Sequence, residues 1–540
     1  MRMARWLIPW VAGIAAVFVH AANAQPTSER YQLDRLVPPS EFHGVHGLAF
    51  DARGVLYAGS VVGHSIYRVD TATGAVSSFV GAPDGMADDL VFLADGTVVW
   101  TSIQHGVVRA RKGDGPINKL ADLVSVNSIN VRKDGRLFVA QVFGGDALWE
   151  IDPAGAKPPR LILKDLGGFN GFDVGPDGKL YGPLWFKQQV VRIDPDTGKL
   201  DVVADGFHTP AAANFDSKWN LYVLDTARGE VVRVDIRSGR KQVVARLATA
   251  LDNLAIDSRD RVFVSNMADN GIQEVDVSKG TARQVVKGAL AIPLGIAAVA
   301  DGTRDMLYVA DVFALRTVDS AQGKVTDVAR SHAADTPIGY PVAVTANQRH
   351  VVVTNNEGPV QRYERGAMRL VQSWRDTHAG NAIEMPSGAL IIAETTRGKL
   401  SRITGSGERE QRAEIVADLA APLGLAIAGD DAVYVSEMAA GRVSRIDVNS
   451  GARRVIAEGL DRPQGIATDG SAVLVVEAGK GRLVRIEPGS SAVEVIARDL
   501  PIGLANVPST LAGVAVGAGG TFYVSSDVEN SIWRLRPKRN

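Results

Sequence analysis

"NGFDVGPDGKLYGPLWFKQQVVRIDPDTGKLDVV", residues 170–203, and "LGLAIAGDDAVYVSEMAAGRVSRIDVNSGARRVI", residues 423–456, follow one pattern. Each runs a short apolar strand, an Asp/Gly turn, a second strand around "LYG" or "VYV", a polar loop, "V-x-R-I-D", a Thr/Ser-Gly turn and a last Val-rich strand. Apolar residues alternate with period two, and Gly or Pro interrupts the chain about every ten residues, which excludes a helical solenoid. The pattern predicts a four-stranded antiparallel meander.

The unit recurs at about 40-residue spacing through the whole chain after residue 40. The residue just before its first strand is, in order, His46, Asp88, Asn127, Asn170, Ala211, Asp252, Leu294, Tyr340, Gly380, Leu423, Gln464 and Ala512, with wider gaps before Tyr340 and Ala512. A sheet this small cannot bury both faces alone, whereas sheets stacked radially bury each other, as in a β-propeller. The expected fold is therefore all-β: tandem six-bladed β-propellers, about twelve four-stranded blades, over residues 41–290 and 291–540. The last unit stops at its third strand in "SIWRLRPKRN", while "YQLDRLV" (31–37), in the segment 25–40, is a strand to spare. That spare strand is expected to complete the last blade and close its ring.

Composition narrows the class. Hydrophobic residues make up 46% of the 540, enough for full-sized cores, and the net charge of −1 carries no nucleic-acid footprint. There are no cysteines, so thiol catalysis and zinc–thiolate sites are excluded. Residues 1–24 read as a secretory signal peptide: Arg2 and Arg5, then "WLIPWVAGIAAVFV", then "ANA" as a small-x-small cleavage site. A periplasmic or secreted protein is expected, with no membrane span after cleavage. Its partner would be a small-molecule substrate or a periplasmic protein, and not nucleic acid.

In a propeller the residue before each first strand is delivered to one mouth of the central channel. Equivalent positions are related by rotation, so they form a ring. In the first six units this ring is His46, Asp88, Asn127, Asn170, Ala211 and Asp252, polar at all but one place; in the last six it is mostly apolar or small. Two carboxylates, two amides and an imidazole facing one axis have the donor character of a divalent-cation site (Ca, Mg, Mn or Zn). Asp89, Ser128 and Asn253, one place on, add polar density. The rival reading is that such Asp and Asn residues only cap turns. His43 shares the loop of His46, and Trp185 lies on a loop able to line a substrate cleft. His64, His105, His332 and His350 are expected to be exposed loop residues. Acids at the end of the second strand, Asp311, Glu394, Glu437 and Glu477, are expected to pair with arginines such as that of "GRVSRI". No Gly-rich phosphate loop, "HExxH" or "GxSxG" is present.

"GLAFDARGVLYAGS…IYRVDTATG" and "GFDVGPDGKLYGPL…VVRIDPDTG" resemble the NHL, gluconolactonase (senescence-marker-protein) and streptogramin-lyase group of propellers. The gluconolactonase resemblance implies a divalent cation held by Asp88, Asn127, Asn170 and Asp252, with Asn170 of "FNGFDV" matching an "NGL" ligand. The group's "E-G-P" at the first blade is replaced here by His46. The function expected is a metal-dependent hydrolase of the lactonase/esterase type, with His46, Asp88 and Asp252 catalytic and His43, Asn127 and Trp185 binding substrate. The alternatives are a non-catalytic binding or scaffold propeller and a streptogramin-lyase-like C–O lyase. The lyase pattern would pair a histidine with a strand-end glutamate, but His46 has Ser60 at that place; His378, near the Glu394 unit, is out of register by two.

Overall fold

The structure is a computed structural model that describes residues 25–302, 304–356, 358–375, 377–490, 492–504 and 511–539. The expected signal peptide lies outside the described residues. The described residues form twelve four-stranded antiparallel sheets. Among the described residues the helices are three-residue 3-10 turns.

Two compact units divide the chain. The first holds Glu41–Gly288 together with His332–Thr336; the second holds, of the described residues, 25–40, Ala289–Ser331 and 337–539. In the first unit, six sheets follow one another from Val45–Phe50 to Thr281–Val286. The first strand of each sheet lies beside that of the next, and the strand Leu251–Ile256 returns to the strand Val45–Phe50, which closes the ring. The second unit repeats this, and its last sheet takes Tyr31–Val37 as its fourth strand against Ser531–Pro537. The spare N-terminal strand therefore closes the second ring and not the first.

Repeated residues explain the repeated turns. In "RVDTATG", Asp70 accepts hydrogen bonds at Oδ1 from Ala72 N (2.8 Å) and Thr73 N (3.1 Å), replacing backbone partners that the turn cannot supply. Gly74 then takes φ +77°, and a Cβ there would sit 2.3 Å from Val285 O of the adjoining blade. Sheet faces fill the space between blades. One such layer packs Phe42, Leu48, Leu56, Val69, Phe263 and Ile272, all at most 4% exposed.

Candidate active site at the mouth of the first channel

A glycine follows the mouth residue in several blades, and it fixes where that residue points. Gly47 N donates to Asp88 O of the next blade (2.9 Å), and a Cβ on Gly47 would lie 2.6 Å from that oxygen. Only glycine lets the two lead strands approach so closely. His46 is thereby held against Asp88. Asp88 is itself fixed by its own N–H donating to Thr101 O (2.9 Å) on the second strand of its blade.

The side chains converge across the ring. His46 Nδ1 lies 3.2 Å from Asp252 Oδ2 and 3.9 Å from Asp88 Oδ1, and the three side chains are 13–18% exposed. The Asn127 side chain hydrogen-bonds to Asp88. Ser128 Oγ lies 3.0 Å from Asn127 Oδ1 and 2.8 Å from Asn170 Oδ1, and it accepts from Gly171 N at 2.8 Å. Ala211, buried and apolar, leaves the fifth place without a polar group.

Asp89, one step deeper, is buried and accepts from Leu90 N (2.9 Å), Ile129 N (3.1 Å) and Asn253 Nδ2 (3.2 Å). It bonds to two blades besides its own, so it ties the ring together. Asp89 also lines a cavity of roughly 160 Å³ with Asn130, Asn214 and Asn253, farther along the same lead strands.

Charge in this site is poorly solvated. Burial pushes the Asp88 carboxyl up to about 7, aided by the Asp252 charge and opposed by His46 and Asn127. Burial also raises Asp89 to about 8, against the donated N–H bonds of Ile129 and Leu90. Burial opposes the charged form of His46, but the charge and hydrogen bond of Asp252, with the charge of Asp88, outweigh it and raise its pKa. The result is an imidazole whose protonated form is favoured by its neighbours, beside a carboxyl that exchanges its proton near neutrality.

His332 completes the surroundings. It lies in the short segment grouped with the first unit, where Ala334 N donates to Ala227 O (3.1 Å). Its ring meets Trp185 edge to face at 5.4 Å, and Trp185 in turn meets Phe143 at 5.7 Å. Burial, reinforced by His46 and opposed by Asp252, lowers His332 to about 4, so it is neutral at pH 7. The sequence expectation of an exposed loop residue is corrected: the segment falls outside the repeat, and no periodic signal reports where it packs. His64 is corrected likewise, being 3% exposed. His350 is half-buried and bonded to Glu384 at 2.8 Å. Trp185 thus borders His332, while His43 is half-buried, with its backbone O accepting from Ser60 Oγ (2.7 Å).

The donor set can be tested against a divalent cation. The oxygens of Asn127 and Asn170 face Ser128 Oγ, and the imidazole lies within reach of both carboxylates. Among the described residues no group of three or more His, Asp or Glu side chains has an arrangement that could hold a metal ion. As placed, the amide oxygens of Asn127 and Asn170 are met by Ser128 Oγ, and the Asp88 and Asp252 carboxyls are met by His46.

The strand-end acids of the second unit are fully compensated. Glu437, fully buried, pairs with Arg442 (2.9 Å) and Arg453 (2.6 Å) and accepts from Ser444 Oγ and Ala420 N. Glu477 pairs with Lys480 (3.0 Å) and Arg482; Glu394 pairs with Arg397 (3.2 Å); Asp311 pairs with Arg316 (2.7 Å).

Residues 46–310 match the family model for the SMP-30/gluconolactonase/LRE-like region. No curated protein matches the sequence. A streptogramin B lyase structure aligns over 94% of this chain and 98% of its own at 11% identity, with a TM-score of 0.27. The extracellular domain of a provisionally named one-component system from B. thetaiotaomicron aligns over 95% and 84% at 10% identity and a TM-score of 0.32. A provisionally named gluconolactonase covers 49% of this chain and 99% of its own at 13% identity and a TM-score of 0.38.

Proposed function

We propose that this chain, a propeller of the SMP-30/gluconolactonase-like superfamily, hydrolyses a small lactone or ester at the mouth of its first channel by acid–base catalysis. The observation that carries the reading is the juxtaposition of His46 with Asp252 (3.2 Å) and Asp88 (3.9 Å) in a partly shielded mouth. A carboxyl that exchanges its proton at about 7 is matched to proton transfer at neutral pH.

The roles follow from the charges. Asp88, ionised, takes a proton from water as the water oxygen bonds to the substrate's carbonyl carbon. His46, when protonated and held by Asp252, gives its proton to the departing alkoxide as the C–O bond breaks. A proton passing from Asp88 to His46 restores both, leaving one acid and one alcohol. Asn127 steadies Asp88, and Trp185 with His332 offers an apolar wall to the substrate.

Gluconolactonases of this superfamily are typically metal-dependent. The steps above use this chain's own side chains. The test is hydrolysis of a panel of lactones and nitrophenyl esters by chelator-treated protein, with and without Ca²⁺, Mg²⁺, Mn²⁺ or Zn²⁺. Turnover that persists in chelator supports the reading. Turnover that requires an added cation overturns the metal-free mechanism, and binding without turnover moves the assignment to a binding propeller.

The sequence of residues 1–24 supports export, so the substrate would be met outside the cytoplasm. A mature N-terminus at Gln25 in the secreted or periplasmic fraction is the expected result; an intact Met1 there would refute cleavage.

A further inference from the structure

Two histidines outside the channel mouth carry buried ring nitrogens without hydrogen-bond partners. His64 follows the second strand of the first blade, and His105 follows that of the next blade. Their rings meet edge to face, with centroids 5.1 Å apart and planes at 87°. His64 is 3% exposed, and neither of its ring nitrogens has a hydrogen-bond partner; Nδ1 of His105 is also buried without one.

Two other blades show what a side chain at this position can do. His64 has φ +48°, as do Asn270 (+48°) and Asn530 (+56°) at the corresponding place in other blades. Asn270 uses its amide on the neighbouring lead-in loop, accepting from Gly44 N (2.9 Å) and donating to Phe42 O. Asn530 donates to Ser40 O (3.3 Å). His64 takes the same left-handed conformation, which asparagine, aspartate and histidine adopt most readily after glycine. It makes none of those bonds and faces an imidazole instead. Two buried nitrogens with no partner cost free energy unless something binds them.

We propose that His64 and His105 form a binding site for a borderline transition-metal ion such as Zn²⁺, distinct from the carboxylates of the channel mouth. Neutral imidazole is the preferred ligand of such ions, and water can fill the remaining coordination places. Burial and the charges around it lower His64 to about 4, and His105 is lowered as well, so both present lone pairs at neutral pH. Arg109 is the nearby cation that would oppose a metal; it is engaged by Asp84 (3.5 Å) and Ser102 Oγ (3.1 Å).

The test uses the full chain without a histidine tag, freed of metal by chelator and titrated with Zn²⁺ by calorimetry at pH 7.5. Co²⁺ serves as a spectroscopic probe of ligation. One Zn²⁺ should bind per chain, with no comparable binding of Mg²⁺ or Ca²⁺. His64→Gln and His105→Gln should each weaken it at least about tenfold. Glutamine is tolerated at this backbone position, since Gln188 holds it with φ +60°. Asp88→Asn and His350→Gln should leave the affinity unchanged. Absence of Zn²⁺ binding overturns the proposal. So does binding that is lost in Asp88→Asn yet kept in the two histidine variants, which would place the ion at the channel mouth.

Discussion

The two rings share one blade and differ in where they keep buried charge. In the second unit the acids sit at the ends of second strands, each met by a cation: Glu437 by Arg442 and Arg453, Glu477 by Lys480 and Arg482, Asp311 by Arg316. In the first unit two carboxyls sit at the channel mouth beside an imidazole that carries charge only when protonated. On the function proposed above, the difference separates a structural use of charge from a catalytic one. A buried acid with permanent partners holds blades together. A pair of acids sharing one titrating partner has protons to move.

The largest effect that would test this contrast is on catalysis. His46→Gln or Asp88→Asn should lower kcat/KM by about 10²- to 10⁴-fold without changing the far-ultraviolet spectrum. Leu423→Val, at the equivalent mouth position of the second ring, should leave kcat/KM unaltered. Equal losses at both mouths would erase the distinction.

Stability should respond the other way round. Replacing both Arg442 and Arg453 with Met leaves the fully buried Glu437 without its cations, at a cost of about 3–5 kcal/mol in urea unfolding. Activity at the first mouth should survive in the fraction that remains folded. A loss below about 1 kcal/mol would show that Glu437 is not structural in this sense.

The smallest effect concerns pH. The Asp88 carboxyl is raised to about 7 in the folded chain from an ordinary value of 3.8. The folded state therefore keeps a proton that the unfolded chain has released across that window. The stability this proton brings is complete below the unfolded value and is lost as pH rises through the folded one. Asp88→Asn should unfold at higher urea than the parent at pH 8, by on the order of 2 kcal/mol, with the gap closing toward pH 4. Parallel stability curves across that range would contradict a raised carboxyl.

Much of this was legible in the residues themselves. The forty-residue repeat, the turn chemistry of "D-x-x-G" and the spare strand Tyr31–Val37 specify the blades and the ring closure, because strand period and turn geometry are local properties. Rotation of one position around a ring placed His46, Asp88, Asn127 and Asp252 together without reference to coordinates. What only the tertiary structure decided is orientation and company. The asparagine oxygens face Ser128 Oγ, which depends on side-chain rotation that no spacing encodes. His332 joins the first unit from beyond the repeat, and His64 faces His105 across two blades. Local sequence sets which strand a residue enters. The pKa of Asp88 and the partners of His64 depend on groups far away in the chain, brought close only when the ring shuts.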